Sequence, residues 1–213
     1  GKEIEAEAIS YANFVADEKA AENTPSYIEA KNFFNERLGK VEGVTEVPTD
    51  LTNPLDQGTV SEVFCKMDFN AMEEFCKKNN LSSSHLTLAA VFYALSRFTN
   101  NEQICITTIS NGRSDLRISN TTGMFVNTLA LSAQIGEQNI MDFLKETGKN
   151  FDETLTHEKY PFAQIAADYD LSAEIMFAYQ MGVIDKYIIN GQKLEIETSR
   201  SEERRVGKEC RYR

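Results

Sequence analysis

The sequence predicts an α/β domain: a two-layer α/β (α+β) sandwich with a mixed sheet and packed helices. Three observations lead there. Helical periodicities and short apolar strand patterns alternate over the first 150 residues. The run Ile104 to Ile109 is apolar on both faces, which marks a central strand. An Asn190-Gly191 pair between two apolar stretches then supplies the positive-φ residues of a two-residue hairpin.

Residues 4–20 have helical composition, with Tyr11, Phe14 and Val15 as the apolar face. Thr24-Pro25-Ser26 starts a second helix, since a first-turn amide lacks an intrahelical partner and proline sacrifices nothing there. Tyr27, Ala30, Phe34 and Leu38 form one stripe, and Gly39 stops it. Pro48, Pro54 and Gly58 make residues 40–60 a loop. Val63, Cys65, Met67 and Phe69 alternate as a strand, and Asn70 with Glu73 forms a capping pair for the next helix. That helix bears Met72, Phe75 and Cys76, with Glu73-Glu74 as a solvated acidic pair.

Ser83 or Ser84 caps a helix reaching Phe98. It is apolar nearly all round, which predicts burial on several sides, with His85 at the surface of its first turn. A strand follows over Phe125 to Leu131. Asn139 and Asp142 open a helix carrying Ile140, Phe143, Leu144, Thr147, Phe151 and Leu155 on one face. Tyr160-Pro161-Phe162 starts a short helix, Ile175, Phe177 and Tyr179 mark a strand, and the hairpin spans Tyr187 to Ile196.

Composition narrows function. The net charge of -11 excludes the basic face that nucleic acid or an anionic membrane surface requires. No apolar run reaches the roughly 20 residues of a membrane span. The start, Gly1-Lys2-Glu3-Ile4-Glu5, has no secretory character, so a cytoplasmic location is expected. Of four cysteines, Cys65, Cys76 and Cys105 sit on apolar faces, and none pairs with another as Cys-x-x-Cys; with Cys210 they read as reduced thiols. Only two histidines occur, His85 and His157, without ligand-like neighbours, so no metal site is expected. The tail, residues 199–213, holds six basic and three acidic side chains and almost no apolar ones. It reads as a disordered or non-native extension outside the 1–198 domain.

Catalytic motifs of the common kinds are missing. The chain contains no Gly-x-Ser-x-Gly, no Gly-x-x-x-x-Gly-Lys and no Gly-x-Gly-x-x-Gly. The informative stretch is Gly112-Arg113, followed ten residues later by Gly123-Met124-Phe125-Val126-Asn127-Thr128-Leu129. Asn127 is a lone amide in an apolar strand. Without partners such an amide costs about 1–3 kcal/mol, so it either satisfies a neighbouring loop or faces a cavity that a ligand enters.

Five segments, read in order, resemble the C-terminal half of a nonribosomal peptide synthetase condensation domain. Tyr11-Ala12-Asn13-Phe14 is similar to a Tyr-x-Asp-(Tyr/Phe)-Ala motif, with Asn13 in place of the usual Asp. Val47-Pro48-Thr49-Asp50 matches Leu-Pro-Thr-Asp. The helix ending Arg97-Phe98, with Ile104 to Gly112-Arg113, resembles the family's core helix, strand and Gly-Arg turn. Gly123 to Leu129 matches Gly-x-Phe-Val-Asn-Thr, and His157-Glu158-Lys159-Tyr160-Pro161-Phe162 matches His-Gln-Asp-Tyr-Pro-Phe. A later Arg-Asp-x-Ser-Arg-Asn-Pro-Leu motif is degraded to Asp170-Leu171-Ser172-Ala173-Glu174.

The resemblance implies a chloramphenicol acetyltransferase-like lobe, one of two flanking a tunnel. It implies amide-bond formation between aminoacyl or peptidyl thioesters on carrier proteins, whose phosphopantetheine arms enter the tunnel; the chain needs no cofactor of its own. It implies Phe125, Asn127 and Thr128 along the tunnel, and Gly112, Arg113 and His157 in lobe-interface or structural roles. The family's His-His-x-x-x-Asp-Gly motif lies upstream of the Tyr11 segment and is not in this sequence. No catalytic residue is therefore assigned, and the chain alone is expected to be inactive, lacking the N-terminal lobe. The implied partners are that lobe, carrier proteins and an adjacent adenylation domain. A lobe alone should also bare apolar surface and self-associate. Alternatives are a non-catalytic carrier-docking module of the same fold, or an acyltransferase, ester-forming or cyclising relative.

Overall fold

The structure is a computed structural model, and it describes residues 8–39, 41, 45–48, 67–171, 175–179, 188–189 and 192–193. The chain divides into two compact units, Gly1–Ala178 and Tyr179–Arg213. The first holds helices α1 (Tyr11–Ala21), α2 (Pro25–Leu38), α3 (Phe69–Asn79) and α4 (Ser83–Thr99), then strand β1 (Gln103–Ser110). A short 3-10 turn (Leu116–Ile118) leads to β2 (Asn127–Gln134), α5 (Ile140–Thr156), α6 (Phe162–Tyr169) and β3 (Met176–Phe177). The second unit holds β4 (Ile188–Ile189) and β5 (Gln192–Lys193), paired antiparallel. Their register, Ile189 opposite Gln192, is the one a two-residue hairpin requires.

The sheet of the first unit is mixed, as the sequence predicts. β1 is central, antiparallel to β2 and parallel to β3. Ile104 to Thr108 are buried in succession, so both faces of β1 are covered. One core joins Ala30, Phe34 and Leu38 of α2 to Cys105, Leu129, Ala130, Tyr160, Ile165 and Leu171. The predicted α2 stripe thus points inward, with Tyr27 packed against its edge. On the order of 1.5–3 kcal/mol accompanies each fully buried large apolar side chain. Helix α4 packs on β1 and α5, and α5 and α6 pack on β2.

Several local expectations shift. The first helix starts at Tyr11, where Ser10 accepts a hydrogen bond from the Asn13 amide at 3.2 Å; residues 1–7 lie outside the described ones. The expected strand at 63–69 is only partly described. Its last residue, Phe69, is instead the first of α3, capped by Asp68 rather than Asn70: Asp68 Oδ1 accepts from the Ala71 amide at 3.0 Å. Aspartate one position before an apolar residue outcompeted the more distant Asn–Glu pair because its carboxylate satisfies an N-terminal amide directly. Ser82, not Ser83 or Ser84, caps α4.

Helix α4 is buried along one face only, through Leu88, Ala89, Phe92 and Ser96. Tyr93 and Phe98 are 53% and 62% exposed. Ile140, expected on the inner face of α5, is 70% exposed in the first turn, before the helix reaches the sheet. β2 starts at Asn127, so Phe125 and Val126 belong to the preceding loop, and β3 is two residues long. Cys76 and Cys105 are free and buried. Cys65, Cys210 and the tail 199–213 lie outside the described residues.

Candidate functional site

The site is built where β1 ends and β2 begins. Ser110 and Asn127 are directly opposed in the ladder. Beyond Ser110 the chain must turn at once, and Gly112 takes φ +63°. A Cβ at Gly112 would lie 1.7 Å from the Phe125 carbonyl oxygen, so only glycine fits. The loop behind it is ordered by side chains acting on nearby amides: Asn111 Oδ1 accepts from the Arg113 amide at 2.9 Å, and Asp115 Oδ1 from the Arg117 amide at 2.9 Å.

Arg113 is an internal brace. Its Nη1 donates to the carbonyls of Ile118 and Thr121 at 2.7 and 3.0 Å, and its guanidinium lies 4.3 Å from the centre of the Phe125 ring. Helix α1 closes over this loop. Tyr11 donates its hydroxyl to the Met124 carbonyl at 3.0 Å, and its ring occupies the space where a Cβ at Gly123 would be. Phe14 and Tyr11 meet Phe125 edge-on, at 4.8 and 5.3 Å between ring centres. Arg117 reaches Asp17 of α1 at 3.2 Å and Asp115 at 2.7 Å. Two of the recognised motifs, the Tyr11 and Gly123 segments, therefore touch.

Between α1, the start of α2, the Gly112–Arg117 loop and residues 158–161 lies a cleft of about 480 Å³. Phe14, Glu18, Tyr27, Gly112, Asn127 and Glu158 are among the groups lining it. Asn127 does both things the sequence allowed: its Nδ2 donates to the Glu158 carbonyl at 3.2 Å, and it faces the cleft. Glu158 is only 7% exposed, and its carboxylate takes a short hydrogen bond from the Ser110 hydroxyl. Ser110 in turn accepts from the Gly112 amide at 3.1 Å. Partial burial pushes the Glu18 carboxyl and the Tyr27 hydroxyl up from their ordinary values; for Tyr27 the charges of Glu22 and Asp168 add to this.

Of the other expected site residues, Phe125 is buried beneath the loop and does not line the cleft. Thr128 pairs with Ile109 one step further along the strand and does not line it either. His157 caps the end of α5: its Nδ1 lies 2.8 Å from the Glu153 carbonyl, and its ring stacks on Phe33 at 4.1 Å. His85 is half-buried rather than at the surface. Its Nε2 lies 3.1 Å from Asp152, and its ring fills the notch left by Gly148 between α4 and α5. Neither histidine lines the cleft. Among the described residues no cluster of His, Cys, Asp and Glu forms a metal site, and no helix is long and apolar enough to cross a membrane.

Sequence reasoning missed Ser110 and Glu158. The available signal was Glu158 itself, a carboxylate where the resembling motif has glutamine. Ser110, at the end of an apolar strand, gave no sign of its partner 48 residues away.

The chain matches the condensation-domain family model over residues 1–205, and it belongs to that family. It is 28% identical over 208 residues to tyrocidine synthase 3 of Brevibacillus parabrevis, which covers 92% of this chain and 3% of that protein. It is 28% identical over 137 residues to bacitracin synthase 1 of Bacillus licheniformis, covering 62% of this chain and 3% of that one. Among solved structures, the SgcC5 protein from Streptomyces globisporus aligns with a TM-score of 0.62 at 23% identity, over 83% of this chain and 40% of that one. The first condensation domain of the calcium-dependent antibiotic synthetase aligns with a TM-score of 0.60 at 14% identity, over 79% and 38%. These structures establish the fold. The chain thus spans a few per cent of its curated relatives' length and about two fifths of the solved chains.

Proposed function

We propose that this chain is one lobe, the C-terminal one, of a condensation domain that joins carrier-bound aminoacyl or peptidyl thioesters. The lobe is assigned to residues 1–198 and the basic segment 199–213 is left outside it. In the proposed reaction an acceptor amine nitrogen attacks the donor thioester carbonyl. A C–N bond forms, the C–S bond breaks, the donor carrier's thiol leaves, and a proton departs the amine. The chain's part is a wall of the reaction cleft, and the phosphopantetheine arms of the carriers bring the substrates to it. The observation that carries this reading is Asn127: the motif that aligns it with the family also sets it at a cleft of about 480 Å³.

Proton handling is assigned to another segment. The two histidines of this chain are spent elsewhere, on the α5 cap and in the α4–α5 notch. The lobe-interface role of Gly112 and Arg113 reduces, on this reading, to shaping the loop that forms one rim of the cleft. An N-terminal lobe, two carriers and a neighbouring adenylation domain complete the machine.

The test is complementation. The chain is mixed with an N-terminal lobe bearing the His-His motif and with two loaded carriers, and dipeptidyl product is followed by mass spectrometry. Product is expected from the mixture and not from the chain alone, and Asn127→Ala should lower it at least tenfold. Product from the chain alone would overturn the reading. Full activity of the Asn127→Ala mixture would remove Asn127 from the site. Carrier binding with no product under any condition would favour the docking module.

A further inference from the structure

We infer that Ser110 and Glu158 are positioning residues, which fix the Asn127 amide so that it receives a hydrogen-bond donor, an N–H, from the occupant of the cleft. The inference rests on the tunnel reading of Asn127 given above and adds the direction in which that residue works.

Three residues form a closed ring. Ser110 and Asn127 are joined through the β1–β2 ladder. Asn127 Nδ2 donates to the Glu158 carbonyl at 3.2 Å. The Ser110 hydroxyl donates to the Glu158 carboxylate. The orientation of the amide is chemically forced: a carbonyl oxygen only accepts, so the Asn127 atom facing Glu158 is the nitrogen. That leaves Oδ1 as the acceptor Asn127 can offer to the cleft it lines.

Glu158 is held at both ends. Its amide donates to the Leu155 carbonyl at 3.3 Å, and its carboxylate is anchored by Ser110. Ser110 is itself fixed by the Gly112 amide at 3.1 Å. Glu158 is 7% exposed, and its carboxylate is held by the Ser110 hydroxyl. Here it gives the carbonyl that aims Asn127 a single position. A site that offers an acceptor in a fixed place favours donor ligands and rejects isosteres that only accept, because such a ligand leaves the acceptor unpaired.

The experiment uses the chain, labelled with nitrogen-15, and two probes that differ only at one terminus: the aminoacetyl and methoxyacetyl amides of aminopantetheine, in which an amine replaces the thiol of pantetheine. The first presents N–H donors and the second an ether oxygen at the same place. The wild type is expected to bind the aminoacetyl probe about tenfold more tightly, with the Asn127 side-chain amide resonances moving on titration. In Ser110→Ala and Glu158→Leu, which each remove one partner of the Ser110–Glu158 bond, that preference should fall towards unity while methoxyacetyl affinity stays. Asn127→Ala should lose the preference altogether and so exclude other carboxylates as its source. Thermal melts verify that the variants fold, and the wild-type comparison needs no variant. Equal binding of both probes by the wild type would overturn donor recognition while leaving the tunnel reading intact. A preference unchanged in both Ser110→Ala and Glu158→Leu would overturn the positioning role. Failure of both probes to bind would overturn this inference together with the tunnel reading.

Discussion

Gly112 passes so close beneath Phe125 that a methyl group on it would sit 1.7 Å from the Phe125 carbonyl oxygen. The contact joins the end of β1 to the loop that leads into β2, and it sets the floor of the cleft rim. Gly112→Ala must both adopt a positive φ and push a backbone carbonyl aside. The left-handed conformation alone costs roughly 1–2 kcal/mol in a non-glycine residue, and the displacement adds to it. A loss of at least ~2 kcal/mol is expected in urea unfolding, and an unchanged midpoint would refute the contact.

Thr147 gives the opposite expectation. Its hydroxyl is the one buried side-chain polar atom without a partner among the described residues. An unsatisfied buried hydroxyl costs on the order of 1–3 kcal/mol. Thr147→Val removes it at constant shape. Stability should stay level or rise by about 1 kcal/mol. A fall greater than that in thermal melting would mean the hydroxyl has a partner.

High pH should weaken the fold. Burial pushes the Cys105 thiol from about 9 up to about 12. A raised folded-state value means that the native chain keeps a proton the unfolded chain has released, so stability is intact below about pH 9 and declines between there and pH 12. The slope reaches about 1.4 kcal/mol per pH unit for one group. Cys105→Ala should flatten the part of the decline owed to this thiol, measured by urea melts from pH 8 to 11. The same burial predicts that Cys105 resists alkylation in the native state and reacts after unfolding.

The apolar residues on the outer face of α4 bear on solution behaviour. Tyr93 and Phe98 are more than half exposed. Phe98→Asp is expected to lower self-association in analytical ultracentrifugation with a change in stability within about 0.5 kcal/mol. An unaltered sedimentation profile would show that association, if present, uses another face.

Elements announced by local chemistry were legible in the sequence. Thr24-Pro25 opened α2, the Ala30-Phe34-Leu38 stripe pointed to the core, and the Ile104 to Ile109 run became the central strand. What failed was whatever depended on distant packing. The nearly all-round apolar circumference of α4 predicted burial on several sides, but which face is covered depends on β1 and α5. Asp68 against Asn70 was a competition between two caps that spacing alone does not decide. At the site, Asn127 stood out because an amide in an apolar strand is conspicuous. Ser110 and Glu158 did not, because a serine at a strand end and a glutamate near a helix end are commonplace until the fold sets them together.

Helix α1 has no buried residue. Among the described residues it meets the rest through one hydroxyl, two aromatic edges and an exposed ion pair, and just before it the Ile9 carbonyl accepts from the Thr121 hydroxyl at 2.8 Å. Attachments of that kind give way long before a packed interior does. The amides of this segment should therefore exchange with heavy water well ahead of those in β1, and the cavity beside it should open and reseal many times in the lifetime of one folded molecule.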